Sequence, residues 1–315
     1  MEMDFRREWY GPRAKIIDQT KDYIVVDYGC QGRGRVTNYF LFDGIQLCFL
    51  DFDTTEVMPS QNFHPDILQF TYCREGRYEC EFANHTVSYL PEGWFGAAGT
   101  KYLPVSFSFP LKKCQAVSLV IDRQALSMSV RGLMSEIPLE PERIGDGLEV
   151  GKRWYVGKPT EKLKRLFLEL YEEENRESAG YFRIKAMELL YHISRLTQEE
   201  GCSFQYFDKR QIETVKEIRN CLVAHLDERL SLERLAKEAH LNVSAFHMIF
   251  SYIYGDTPYA YLKKYKMNLA AQMLLKKERK ISDIALELGY SNASKFASAF
   301  ESVYGILPKD YRKNK

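Results

Sequence analysis

Apolar and polar residues alternate with period two through the first half of the chain. Tyr78, Cys80 and Phe82 alternate with Arg77, Glu79 and Glu81, and Val105, Phe107 and Phe109 alternate with Ser106 and Ser108. Each run is the pattern of a half-buried antiparallel strand. Up to about Pro159, Gly and Pro punctuate such runs, which predicts an all-β sandwich or barrel. The stretch from Tyr72 to Phe82 reads as strand, glycine turn at Gly76, strand, and Val87 to Gly93 as a further strand ending in a Pro91-Glu92-Gly93 corner. From Pro159 the period lengthens. Leu163, Leu166, Phe167 and Leu170 recur at helical spacing, and after a break at residues 175–180 so do Ile184, Met187, Leu190 and Tyr191, predicting a helical hairpin. From Gln211 onward helical signals dominate.

That last third repeats itself. Leu232, Leu235, Ala236 and Glu238 reappear 49 residues later as Ile281, Ile284, Ala285 and Glu287. After one inserted residue, Ser244, Phe246, Phe250, Tyr254, Gly255, Pro258 and Tyr261 reappear 50 residues later as Ser294, Phe296, Phe300, Tyr304, Gly305, Pro308 and Tyr311. Each copy predicts two short helices joined by a tight turn. Ser231 and Ser282 are placed to cap the first helices, with Glu233 and Asp283 in their first turns. Asn242 and Ser291 are placed to cap the second, and Gly289 can take the left-handed turn between them. Ala236 and Ala285 leave room for a crossing helix, while Phe246, Ile249, Phe250 and Ile253, and Phe296, Ala299, Phe300 and Val303, form buried stripes. A duplicated helix-turn-helix, the motif that lays its second helix in a DNA major groove, accounts for this register. A repeated hairpin that only docks protein is the alternative.

Charge sharpens the picture. The 315 residues carry a net charge of +1, but from Gln211 there are 17 Lys and Arg against 12 Asp and Glu (net +5), and before it 27 against 31 (net −4). The duplicated region is therefore the basic one, as a polyanion partner requires. Seven scattered cysteines without a Cys-x-x-Cys pair suggest neither a zinc knuckle nor a disulfide framework. With no long apolar run and no secretory signal, a cytoplasmic protein with no membrane partner is expected.

Ile284-Ala285-Leu286-Glu287-Leu288-Gly289-Tyr290-Ser291, followed by Phe296, Phe300, Gly305, Pro308, Tyr311 and Arg312, resembles the signature of the AraC family of bacterial transcription regulators. The first copy resembles it through Leu235-Ala236, Phe250, Gly255, Pro258, Tyr261-Leu262 and Ala270. The resemblance implies two helix-turn-helix subdomains joined by one long helix, here Pro258 to about Leu275. At 1.5 Å per residue such a helix spans about 27 Å, suited to successive major-groove turns about 34 Å apart. Lys266, Ser298, Glu301 and Leu307 depart from the family pattern, which has Arg, Arg, Lys and a capping Ser or Thr at those places.

The faces opposite the phenylalanines carry Ser244, His247, Met248 and Ser251 in the first copy and Ser294, Ser298 and Glu301 in the second, with Asn292 and Lys295 near the helix start. Apart from Glu301 these are the candidate base contacts: the Asn292 amide for adenine, Lys295 for guanine, Met248 for thymine methyls. Candidate phosphate contacts are Lys263, Lys264, Lys266, Lys276, Lys277, Arg279, Lys280, Lys309, Arg312 and Lys313.

The strand region resembles the cupin-like sensor domains often fused to AraC-type regulators. It would enclose a ligand-sized interior or fill it with side chains such as Tyr72, Tyr78, Phe82, Tyr89, Trp94, Phe107 and Phe109. Cupin metal chemistry needs clustered histidines, and this region has only His64 and His85, so no metal, cofactor or catalytic residue is assigned. Glu188 and His192, four apart on a helix, read as a surface pair, and glycines 29, 32 and 34 as a loop. The expected organisation is a cupin-like sensor domain at 1–158, a helical connector at 159–209 and an all-α DNA-binding domain at 210–315. The connector's stripes pack either on the β domain or against a twin subunit in a homodimer. The expected partners are double-stranded DNA, RNA polymerase as the resemblance implies, and a small-molecule effector. The competing class is a small-molecule-binding or catalytic cupin whose helical region docks a protein.

Overall fold

The computed structural model describes residues 10–60, 66–172, 179–197, 206–228, 231–276 and 279–313. His64 and Lys277, singled out above, and Cys202, one of the seven cysteines, lie outside the described residues. The chain divides into two compact units, Met1–Phe207 and Asp208–Lys315.

The first unit is built on antiparallel strands β1 (Lys15–Gln19), β2 (Tyr23–Asp27), β3 (Arg33–Phe42), β4 (Ile45–Asp53), β5 (Met58–Pro59), β6 (Ile67–Glu81), β7 (Thr86–Pro91), β8 (Phe95–Gly99), β9 (Ser106–Ser108), β10 (Lys113–Asp122) and β11 (Tyr155–Gly157). Their path runs β1-β2-β3-β4-β10-β6-β7, with β8 and β9 also on β6, β5 on β9 and β11 on β8, in a sheet curled as a half-barrel. The glycine turn expected at Gly76 is not a turn. β6 runs 15 residues without a break; the irregularity in its pairing with β10 falls at Arg74, and Gly76, at φ +84°, stays paired with Cys114. A Cβ there would lie 1.9 Å from the Lys113 carbonyl oxygen, so only glycine lets the two strands pass. The first half of β6 pairs with β10 and β8 and the second with β7 and β9. The corner after β7 forms as expected, closed by Trp94 N–H donating to Pro91 O at 3.1 Å.

The alternation along β6 is also not half-buried. Tyr78, Cys80 and Phe82 are in the core as expected, but Arg77 and Glu79 are buried as well. The Glu79 carboxylate accepts from the Tyr89 hydroxyl and from Ser108 Oγ (2.8 Å), which compensates its removal from water. A helix that the period-two reading does not foresee, α1 (Met128–Glu136), follows β10.

Two apolar clusters occupy the two faces of the sheet. One joins Phe49, Phe70, Tyr72 and Leu119 to α2 (Glu161–Glu172) and α3 (Ala179–Ile193). The hairpin stripes are thus covered within the unit: Leu163, Leu166, Phe167 and Leu170 are buried, and Phe167 stacks on Tyr72 at 5.3 Å. The seam expected at Leu166 and Leu170 has no surface left to offer a twin subunit. Ile184, placed in the stripe by periodicity, instead stands 71% exposed, and Phe182, Ala186 and Leu189 take the inner positions. Glu188 does not pair with His192. It is bridged by Lys162 (3.0 Å) and Lys185 (3.1 Å), tying α2 to α3. Burial alone would raise the Glu188 carboxyl, and the two ammonium partners more than reverse that, holding it below the usual carboxylate range. The second cluster, on the other face, includes Tyr28, Phe52, Tyr78, Phe107 and Phe109.

The second unit is helical: α4 (Lys209–Ala224), α5 (Leu232–Glu238), α6 (Val243–Tyr254), α7 (Pro258–Leu274), α8 (Ile281–Glu287), α9 (Ala293–Tyr304) and α10 (Pro308–Lys313).

Candidate nucleic-acid interface and interior cavity

The sequence repeat is a structural repeat down to single hydrogen bonds. In the first copy His240 N–H donates to Lys237 O and Leu241 N–H to Ala236 O; in the second Gly289 N–H donates to Leu286 O and Tyr290 N–H to Ala285 O. This double closure ends a helix on a left-handed residue. Gly289 (φ +74°) takes it freely, whereas the first copy uses His240 at φ +56°. Behind each turn the second helix is fixed by the same aromatic triangle. Phe250, Tyr254 and Tyr261 have centroids 4.6, 5.4 and 4.8 Å apart, and Phe300, Tyr304 and Tyr311 have centroids 4.6, 5.3 and 5.2 Å apart. Gly255 and Gly305 end α6 and α9 in the left-handed conformation, and α7 runs unbroken over 17 residues, about 25 Å, between the copies.

Capping follows the expectation in the first copy and shifts in the second. Ser231 Oγ accepts from Arg234 N–H (3.2 Å) and Asn242 Oδ1 from Ser244 N–H (2.8 Å). In the second copy Lys280, not Ser282, holds the cap position of α8 without a side-chain bond, and Ser282 Oγ instead meets Asp283 Oδ1 at 3.1 Å. The cap of α9 is Asn292 rather than Ser291, its Oδ1 accepting from Lys295 N–H at 2.8 Å. Bidentate reading of adenine needs that same oxygen as an acceptor, so the cap competes with the adenine role expected of Asn292.

Of the other base-contact candidates, Ser244, Met248, Ser294, Lys295 and Ser298 are exposed, and His247 and Ser251 are half-buried. His247 lies against Phe246 and Tyr259 and close enough to Glu233 to help hold that carboxyl low, behind Glu233's hydrogen bonds to its own backbone N–H and to Ser231. Among the phosphate candidates, Lys263, Lys276, Lys280, Lys309 and Lys313 are exposed. Lys264 pairs with Asp256 at 2.8 Å and Arg279 with Glu287. Arg312 is half-buried. Lys266 turns inward: Nζ donates to Leu226 O (2.8 Å) and sits 5.7 Å from the Tyr290 ring, and burial pulls its ammonium below the usual lysine value against the opposing charge of Asp227. It pins the end of the α4 loop to the turn at Gly289, where a Cβ would meet Leu226 O at 2.4 Å, and so leaves the phosphate set.

Sequence reading missed Arg219. From α4 its guanidinium lies 5.4 to 5.8 Å from the rings of Tyr254, Tyr261 and Tyr265, and its Nε donates to the Tyr261 hydroxyl at 2.8 Å. The second copy replaces it with Asn268 of α7, which accepts from the Tyr304 hydroxyl at 2.9 Å.

The first unit holds a cavity of about 90 Å³. Strand register explains its chemistry. Asn38, Cys48, Ser118 and Thr71 stand opposite one another across β3, β4, β10 and β6, and Gln46, Val120 and Gln69 form the next row. Below them Val36, Leu50, Ala116 and Cys73 continue as apolar core. Asn38, Gln46, Cys48, Gln69 and Ser118 line the space, with Tyr28, Tyr78 and Phe107 as its aromatic wall. The alternation of Asn38, Gln69 and Ser118 with apolar neighbours is visible along each strand, but only the register shows that they converge. Among the described residues no group of three or more His, Cys, Asp or Glu is placed to hold a metal ion, and no helix is long and apolar enough to cross a membrane.

Comparison with known proteins places residues 235–314 in a helix-turn-helix domain family. The chain is 30% identical over 112 residues to the probable transcriptional regulator LumQ of Photobacterium leiognathi, covering 35% of this chain and 45% of that protein. It is 35% identical over 82 residues to the RCS-specific HTH-type transcriptional activator RclR of Escherichia coli K12, covering 26% and 29%. The chain therefore spans less than half the length of these curated relatives. Among solved structures, the C-terminal domain of AraT, a response regulator from Geobacillus stearothermophilus, is 27% identical over 32% of this chain and 85% of its own, with a TM-score of 0.31.

Proposed function

We propose that this chain, whose last third is an AraC-type helix-turn-helix domain, is a sequence-specific DNA-binding transcription regulator that activates its target and answers to a small molecule held in the cavity of the β unit. The observation that carries the reading is the duplication: two helix-turn-helix copies with matching turn closures and matching aromatic triangles, joined by one continuous helix. A single docking hairpin needs no second copy at fixed spacing, whereas a duplex offers the same groove again one turn on. Lys295, Ser294 and Ser298 in the second copy and Ser244 and Met248 in the first are the proposed base readers. Lys263, Lys276, Lys280, Lys309 and Lys313 are the proposed phosphate contacts, with Lys277 among them from sequence alone. RNA polymerase is the proposed partner in activation, and a two-fold dimer would present two such domains to paired half-sites.

The test is a gel shift of the full chain on the DNA upstream of its own gene against random duplex at about 150 mM salt. Preference for the upstream DNA, weakening steeply as salt rises, is the expected result. Equal binding to both duplexes would sink this reading in favour of a small-molecule-binding protein whose helices dock another protein.

A further inference from the structure

The rows of polar side chains inside the β unit carry a statement about what the cavity accepts. Asn38 and Ser118 are 1% and 2% exposed, and Gln69 and Gln46 stand in the next row. Placing such groups on the inward face of a sheet costs free energy unless each polar atom finds a partner. Part of that need is met internally. Thr71 and Ser118 hydroxyls meet at 2.8 Å, Gln69 Nε2 donates to Thr71 Oγ1 at 3.1 Å and lies 3.4 Å from Ser118 Oγ, and Asn38 Nδ2 donates to the Tyr10 hydroxyl at 2.5 Å. The amide hydrogen bonds of this network all run from nitrogen to a neighbouring hydroxyl, and among the described residues they leave the carbonyl oxygens Asn38 Oδ1 and Gln69 Oε1 without a donor. Both residues line the cavity.

Among the described residues the lining also contains no Lys, Arg, His, Asp or Glu. Burial holds its ionisable groups neutral: the Cys48 thiol is pushed up to about 12, and the Tyr28 and Tyr78 hydroxyls are raised above the usual phenol value. A charged ligand would leave water for a space whose described lining holds no counter-ion, a loss the neutral dipoles present there do not make good. Size sets a further bound. A cavity of about 150 Å³ holds benzene, so about 90 Å³ takes no more than one small ring or a short chain.

We propose that the cavity binds an uncharged small molecule that donates hydrogen bonds through hydroxyl or amide groups to Asn38 Oδ1 and Gln69 Oε1, with its apolar face on Tyr28, Tyr78 and Phe107. The proposal rests on the regulator reading only in calling that molecule an effector; the binding chemistry stands apart from it.

The test is saturation-transfer NMR on the full chain with size-matched probes: propionamide against propionate and propylammonium, and glycerol against glycerate. The uncharged member of each set is expected to bind at least about tenfold more tightly. Binding of propionamide and glycerol is expected to be lost in Gln69→Leu. In Gln69→Glu, a near-isosteric change, preference should move to propylammonium. Folding of both variants is checked by circular dichroism, and Asn38→Ser replaces either one that does not fold, with loss of propionamide and glycerol binding again expected. Charged probes binding as well as uncharged ones, no probe binding at all, or uncharged binding unaltered in the folded variants would each overturn the proposal. A gel shift run alongside separates the two readings. Probe binding by a chain with no DNA preference refutes the regulator, and DNA preference without probe binding refutes the pocket chemistry.

Discussion

Single residues decide how the two copies differ, and the differences are chemically specific. Thr257 caps α7, accepting from Ala260 N–H at 3.4 Å, while the corresponding residue before α10 is Leu307, 42% exposed and unable to accept. Leu307→Thr supplies the missing cap and should stabilise the second copy by about 1 kcal/mol, read as a rise in the urea midpoint without change of slope. An unchanged midpoint would mean that water already serves those amides. Reading and holding DNA separate in the same way. Lys295 is exposed in the first turn of α9, whereas Lys309 is exposed on α10. Lys295→Ala should change the preferred sequence in one half of the site, while Lys309→Ala should weaken all duplexes alike and lower the salt slope by about one. Binding selections with each variant check this, and equal, sequence-blind losses from both would assign Lys295 to the backbone.

At the scale of elements, the repeat predicts paired energetics. Phe250 and Phe300 are buried, each at the corner of its own aromatic triangle. Phe250→Ala and Phe300→Ala should each cost about 3 to 5 kcal/mol, measured by denaturant unfolding. Retained melting in either would contradict that packing. The hairpin α2–α3 makes a different kind of prediction, in pH. The Glu188 carboxyl is lower in the folded protein than in the unfolded chain, so its bridge to Lys162 and Lys185 stabilises above the unfolded value of about 4.3 and is lost as pH falls through the folded one. The stability difference between the protein and Glu188→Gln should therefore be present at pH 7 and vanish in acid; a difference that persists at pH 3 would rule the bridge out. These elements also mark what sequence could and could not show. The helix-turn-helix copies were legible because the turn closures and aromatic triangles that mark them lie within a few turns, and duplication exposes those positions by self-comparison. Gly76 reads as a turn because a glycine before further alternation suits one, and only the partner strand β10, whose Lys113 carbonyl passes where a Cβ would stand, shows it inside a continuous strand. The cavity was not legible at all. Asn38, Cys48, Ser118 and Thr71 are separated by up to 80 residues along the chain and meet only through three strand registers.

Considered as a whole, the molecule buries its hairpin rather than displaying it, and this changes what a charge placed there should do. A twin subunit gathered on Leu166 and Leu170 would let Leu166→Glu dissociate a dimer while leaving each copy folded. The packing gives the opposite expectation. Leu166 is 1% exposed, Leu170 is fully buried, and both lie in the cluster that joins α2 to Phe49, Tyr72 and Leu119 of the sheet. A carboxylate at position 166 has no partner in that apolar cluster, and burying it unpaired costs several kcal/mol, a large share of an ordinary domain's stability. Leu166→Glu should therefore lower the melting temperature of the β unit by more than about 10 °C in the full chain, whatever its mass. Ile184→Glu, on the same hairpin but facing solvent, should leave melting within about 2 °C of the parent. Circular dichroism melting paired with light scattering separates the outcomes. A Leu166→Glu protein that melts like its parent but halves its mass would return the hairpin to the role of subunit seam, whereas a halved mass in Ile184→Glu with melting intact would place the seam on the outer face of α3.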